Sequence, residues 1–205
     1  MNIKNTDLRV VKTLNNIQAS FLTLLETKKL REITVKEICD LAQCSRNTFY
    51  AHYTYKEDLY EQLVEDNIQH IIQGFRLLDP KPQESVEQLV ERYIHNIIAS
   101  MYESKDTIRQ LVLMDDGDIY RKRLTTAVYR RMLDGPEHRS ETAVQSEYYA
   151  MMCGYCSSAL VGFLLQWIAQ ANIGMQDAEH ILKSLHIKAF STTFQYAHGK
   201  TELDT

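Results

Sequence analysis

Glycine and proline are scarce in this chain, 7 Gly and 3 Pro among 205 residues. They are the strongest punctuators of local structure, and a fold of many short strands needs turn signals roughly every ten residues. So few turn formers exclude most all-β architectures and leave long helices joined by a handful of breaks. The apolar residues agree, recurring at steps of three and four: Leu8, Val11, Leu14, Ile17, Phe21 and Leu24/Leu25 in the first segment. With 44% hydrophobic and 24% charged residues, the composition suits a globular protein of one or two domains. The fold class expected is all-α.

The breaks and caps divide the pattern. Asp7 is placed to cap a first helix, with Lys28-Lys29 in its last turn. Thr34-Val35-Lys36-Glu37 has the T-x-x-E form of a capping box and opens a short second helix buried through Val35, Ile38, Cys39, Leu41 and Ala42. After Gln43-Cys44, Ser45 caps a third. A fourth starts near Lys56 and runs to Asp79-Pro80-Lys81-Pro82. Two short helices across a three- or four-residue turn describe a helix-turn-helix. Beyond Pro82, Ser85 opens another capping box and Ser104 a short helix. Breaks fall at Asp116-Gly117-Asp118 and Gly135-Pro136. A long apolar stretch runs from about Glu141 to Ala171, and Asp177 caps a last helix carrying Ile181, Leu182, Leu185, Ile187 and Phe190.

The third helix has an unusual composition. "SRNTFYAHY", residues 45–53, holds one reliably apolar anchor, Phe49, among hydroxyls, an amide, a guanidinium, an imidazole and phenols. A merely solvated helix face is normally filled with Lys and Glu; short donors in this density suit phosphates and base edges. Charge is distributed accordingly. Net charge is −4, yet residues 1–56 carry nine Lys and Arg against five Asp and Glu, while the remainder carries fourteen against twenty-two.

The series Thr34-Val35, Ile38-Cys39, Ala42, Ser45-Arg46, Thr48-Phe49-Tyr50, His52-Tyr53, Lys56 and Leu59 resembles the DNA-binding domain of the TetR family of one-component transcriptional regulators, over residues 8–62. It departs from the family's usual Ala at Cys39, Gly at Gln43, Val at Cys44 and Phe at Tyr53. Gln43 falls in the turn, where a positive φ costs a non-Gly residue on the order of 1 kcal/mol. The resemblance implies a helix-turn-helix domain over residues 1–56, a linking fourth helix over 56–78, and a helical effector-binding and dimerisation domain over 83–205.

It also implies roles. Thr34, Lys36, Ser45, Thr48, Tyr50, His52 and Lys56 are expected at phosphates or sugars, fixing register. Arg46 and Asn47 are expected at base edges, since Arg pairs with guanine O6/N7 and Asn with adenine N6/N7. The implied partner is a palindromic double-stranded DNA operator, bound by a homodimer through the last two helices. The implied output is repression relieved by a small-molecule effector, the alternative being activation or control by a partner protein. Tyr93, Met101, Tyr120, Tyr129, Met152 and Tyr155 are the conceivable effector lining.

No enzymatic function is expected: no nucleophile–base pair and no phosphate-cradling glycine loop is present. No cofactor is expected. Cys153-Gly154-Tyr155-Cys156 is a C-x-x-C and raises thiol or metal sensing as an alternative, but it lacks a βαβ setting and a second pair of zinc ligands; no metal is expected. Four cysteines do not make a disulfide framework. The N-terminus lacks an apolar segment followed by a cleavage site, and no apolar run reaches the roughly 18 residues of a membrane span. The expected location is the cytoplasm, with no membrane partner.

Overall fold

The computed structural model describes residues 3–75, 81–113, 119–133, 143–170 and 172–185. Among them every regular element is a helix: α1 (Ile3–Leu25), a 3₁₀ turn (Leu30–Glu32), α2 (Val35–Ala42), α3 (Arg46–Tyr50), α4 (Lys56–Ile72), α5 (Val86–Glu103), α6 (Lys105–Leu113), α7 (Ile119–Leu133), α8 (Ala143–Ala169) and α9 (175–185). The all-α expectation holds.

Local chemistry sets the helix starts. Thr34 Oγ1 accepts from the Glu37 N–H, and the Glu37 carboxylate accepts from the Thr34 N–H in return, a complete capping box. Ser85 and Gln88 make the same reciprocal pair before α5. Ser45 Oγ accepts from the Thr48 N–H before α3. Lys81-Pro82-Gln83-Glu84 forms a turn closed by Glu84 N–H donating to Lys81 O at 3.0 Å. Gln83 holds φ +64° at its third position, and Pro82 presets φ at its second, the arrangement of a type II turn.

The chain divides into two compact units. One lies within Met1–Asn67 and Asp106–Tyr120, the other within Ile68–Lys105 and Arg121–Thr205. In the first, Ile17, Phe21 and Leu25 of α1 are buried with Ile38, Phe49 and Leu59. Two buried phenols tie α4 to its neighbours, Tyr60 donating to Leu111 O and Tyr120 to Asn67 Oδ1. In the second, Tyr93, Ile97 and Met101 of α5 share a core with Cys153, Cys156 and Leu160 of α8. Tyr149 donates to Met132 O, and Trp167 Nε1 to Ile173 O. Arg92 makes a two-pronged bond to Glu84, which holds that carboxyl at about 2.

Several details differ from expectation. α1 begins at Ile3, so Asp7 lies inside it rather than capping it. Leu8 and Val11 are 66% and 52% exposed, because the buried stripe of α1 starts only at Ile17. α4 ends at Ile72, short of residue 78; i→i+3 bonds from Gln73, Gly74 and Phe75 tighten the chain into a turn there. Asp177 is the third residue of α9, not its cap, and Leu185 is exposed. Glu147–Ala169 is long and apolar enough to cross a membrane by length and composition, contrary to the expectation of no such run; half of its most apolar window is buried in the core. The breaks at Asp79-Pro80, Asp116-Gly117-Asp118 and Gly135-Pro136, and the residues Ile187 and Phe190, lie outside the described residues.

Candidate nucleic-acid interface

α2 and α3 meet across residues 43–45. Gln43 closes α2 in the left-handed conformation, φ 53° and ψ 43°, and its N–H donates to Cys39 O. The Cys44 N–H returns to the same carbonyl at 3.0 Å, the reversal by which helices end in a left-handed residue. It releases the chain at Ser45, which starts α3 almost at once.

α3 is five residues long. Isolated helices this short do not form in water, so packing must hold it. Phe49 is fully buried beneath it, and Tyr53 stands 5.4 Å from Phe49 between ring centroids. Burial raises the Tyr53 phenol pKa above its ordinary value. With those two rings inward, Ser45, Arg46, Asn47, Tyr50 and His52 are exposed and Thr48 is half-buried. The Tyr50 ring meets Phe49 edge-on at 5.6 Å, which orients its phenol while leaving it 54% exposed. Lys36 is exposed in the first turn of α2.

Some expected donors are already engaged. Ser45 and Thr48 share a hydrogen bond of 2.8 Å between their hydroxyls, so one hydroxyl hydrogen of the two stays available. Thr34 spends its hydroxyl hydrogen on Glu37 Oε2 at 2.8 Å. Glu37 also takes an ion pair from Lys28; that bond, followed by the two from Thr34, holds its carboxyl at about 2. Lys56 donates from Nζ to the carbonyls of Leu30 at 2.7 Å and Ile33 at 2.6 Å, with its side chain 16% exposed. Sequence reasoning does not find these two partners, because they are backbone atoms twenty-six and twenty-three residues away.

The conceivable effector lining is scattered. Tyr93 and Met101 are fully buried in the second unit, with the Tyr93 hydroxyl donating to Phe75 O. Tyr129 and Met152 are half-buried, and Tyr155 is 64% exposed. Tyr120 belongs to the first unit. A cleft of about 320 Å³ between α5 and α9 has none of them in its wall; Glu91, Ile94, Gln176, Glu179, His180 and Lys183 line it. Cys153 and Cys156 are buried free thiols, and burial pushes Cys153 up to about 12, against thiolate chemistry. Among the described residues no group of three or more metal-ligating side chains comes together.

This geometry defines a helix-turn-helix protein with a helical companion unit, the class to which one-component regulators belong. No family model matches the chain. An uncharacterised HTH-type transcriptional regulator, YxbF of Bacillus subtilis (strain 168), is 30% identical over 86 residues, 42% of this chain; the match spans 23% of that relative's length. A TetR transcriptional regulator from Streptococcus agalactiae 2603V is similar over 90% of this chain and 98% of its own, at 25% identity and TM-score 0.59. The dihydroxyacetone kinase operon activator DhaS shares the fold, at 15% identity and TM-score 0.51 over 87% of this chain and 93% of its own. Over nearly its whole length the chain is thus similar to a TetR-family regulator.

Proposed function

We propose that this chain is a sequence-specific DNA-binding transcriptional regulator that binds a palindromic operator as a homodimer and represses transcription until a small effector releases it. The observation that carries the reading is α3 itself. A helix too short to stand alone is anchored by Phe49 and Tyr53 and turns Ser45, Arg46, Asn47, Tyr50 and His52 outward, leaving no Lys–Glu surface there. Exposed Lys36, Tyr50, His52 and the one remaining Ser45/Thr48 hydroxyl hydrogen supply phosphate contacts. Arg46 and Asn47, on the first turn of α3, reach base edges.

A second copy is supported by α8. Tyr148, Met151 and Tyr155 are 47%, 75% and 64% exposed at helical spacing, followed by exposed Ser158. A Cβ added at Gly162 on the same helix would meet nothing within 4 Å. An apolar stripe ending in small residues suits close approach of a partner helix, and two half-sites one helical turn apart require two reading heads.

The test is a salt titration of binding to DNA from upstream of the protein's own gene, beside a scrambled duplex. Selective binding with log K falling by about 0.9 per phosphate neutralised, against log salt, is the expected result. Arg46→Ala should relax preference at one operator position at roughly 1–3 kcal/mol on the preferred site, while Tyr50→Ala weakens all sequences alike. Equal losses for Arg46→Ala on every operator variant would remove its base-reading role. In vitro transcription from the bound promoter separates repression, a loss of transcript, from activation, a gain.

A further inference from the structure

We propose that Lys56 is a positioning residue: its ammonium clamps the carbonyls of Leu30 and Ile33 and thereby sets the N-terminus of α2 for DNA, in place of contacting a phosphate itself. The proposal rests on the DNA-binding reading above and adds a residue role to it.

The argument is one of donors and access. An ammonium has three hydrogens. Two are committed at 2.7 and 2.6 Å, at the short end of charge-assisted bonds. The side chain is 16% exposed, so little of it meets solvent. A phosphate would have to draw it from two charge-assisted partners in a partly desolvated setting, whereas exposed Lys36 reaches a phosphate with no such loss.

The clamped carbonyls matter because of where they stand. Leu30 O already accepts the Ile33 N–H, closing the 3₁₀ turn, and Ile33 directly precedes Thr34, the cap of α2. On the other side of that cap, Glu37 is bonded to Lys28, Thr34 Oγ1 and the Thr34 N–H. Two lysines, one after α1 and one opening α4, therefore grip the same short segment. Lys28 holds the α2 side through a carboxylate and Lys56 the incoming backbone. The start of α2 is fixed from both directions, and with it Lys36 and the free end of the helix.

The experiment compares Lys56→Met and Lys36→Met with the wild-type full-length chain in two readouts. In amide hydrogen exchange without DNA, Lys56→Met removes both charge-assisted bonds and should speed exchange at residues 30–37 by at least about tenfold, and Lys56→Arg, which restores donors, should recover part of the protection. Unchanged exchange overturns the clamp whether or not DNA is bound. In the salt titration, Lys56→Met should weaken binding to every duplex by about tenfold at fixed salt with an unchanged slope, while Lys36→Met lowers the slope by about 0.9. A slope lowered equally by Lys56→Met makes Lys56 a phosphate ligand and overturns the proposal. Faster exchange with undiminished affinity makes it a structural lysine only, and also overturns it. If the wild type binds no duplex at low salt, the DNA reading and the positioning role fall together, leaving the exchange result to report the clamp alone.

Discussion

Replacing Gln43 by glycine should stabilise the protein. Gln43 holds φ 53° and ψ 43° at the end of α2, with its side chain exposed and its N–H bonded to Cys39 O. The left-handed conformation costs a non-Gly residue roughly 1–2 kcal/mol through crowding of Cβ against the carbonyl. Glycine removes that crowding but widens the unfolded ensemble, which costs roughly 0.5–1 kcal/mol. The exposed side chain buries nothing worth subtracting, and the backbone bond survives. The net expectation is a gain of about 0.5–1 kcal/mol for Gln43→Gly. Gln43→Asn should fall between, because Asn tolerates this region, and Gln43→Val should lose stability, because a β-branched residue does not. Urea unfolding at one fixed protein concentration reads the result as a midpoint shift of a few tenths molar with unchanged slope, given slopes of about 1–3 kcal/mol per molar. A Gln43→Gly variant that unfolds earlier than wild type would refute the strain account.

Gly74→Ala should be costly, since the added Cβ would sit 2.6 Å from Ser100 Cβ and 2.8 Å from Asn96 O. Ser100 also donates to Ile71 O, so it cannot simply turn away, and a loss of about 1–3 kcal/mol in the same unfolding assay is expected. Glu37 predicts a pH dependence. Its folded value, about 2, lies below the ordinary 4.5, so its contribution is complete above pH 4.5, erodes as pH falls and is gone below about 2. Unfolding curves of wild type and Glu37→Gln should therefore differ at pH 7 and converge toward pH 2; a constant gap would disprove the pair's role. Tyr155→Asp on the exposed stripe of α8 should shift sedimentation toward monomer, while circular dichroism stays that of a helical protein.

Much of the fold is legible in the sequence because capping is a local transaction. Thr34–Glu37, Ser45 and Ser85–Gln88 each complete their chemistry within three residues, and each marks its helix start correctly. Asp177 misleads because an acidic residue also suits a helix's first turn, where the dipole favours it, and Asp7 because α1 already begins at Ile3. Periodicity groups residues by face but not by what covers the face. Leu8 and Val11 share the register of Ile17 and Phe21 and are nevertheless exposed. The residue types of α3 are equally readable, since spacing alone selects those opposite Phe49. The engagement of Thr34 and Lys56 is not, because carbonyl oxygens carry no signature in a sequence, and neither is the α5–α9 cleft, whose wall draws on residues more than eighty positions apart.

The buried thiols have a practical use. Cys39 lies within the first unit and Cys153 and Cys156 within the second, all three out of solvent, with Cys44 half-buried at the turn. Burial raises Cys39 to about 11 and Cys153 to about 12, so neither forms much thiolate in the native protein near neutral pH. Alkylation at these positions then waits on opening of the surrounding structure. Peptide mapping after a timed pulse of iodoacetamide would time the opening of each unit separately, in the natural sequence and without an introduced label. Cys44 would mark the early exposure of the turn between α2 and α3.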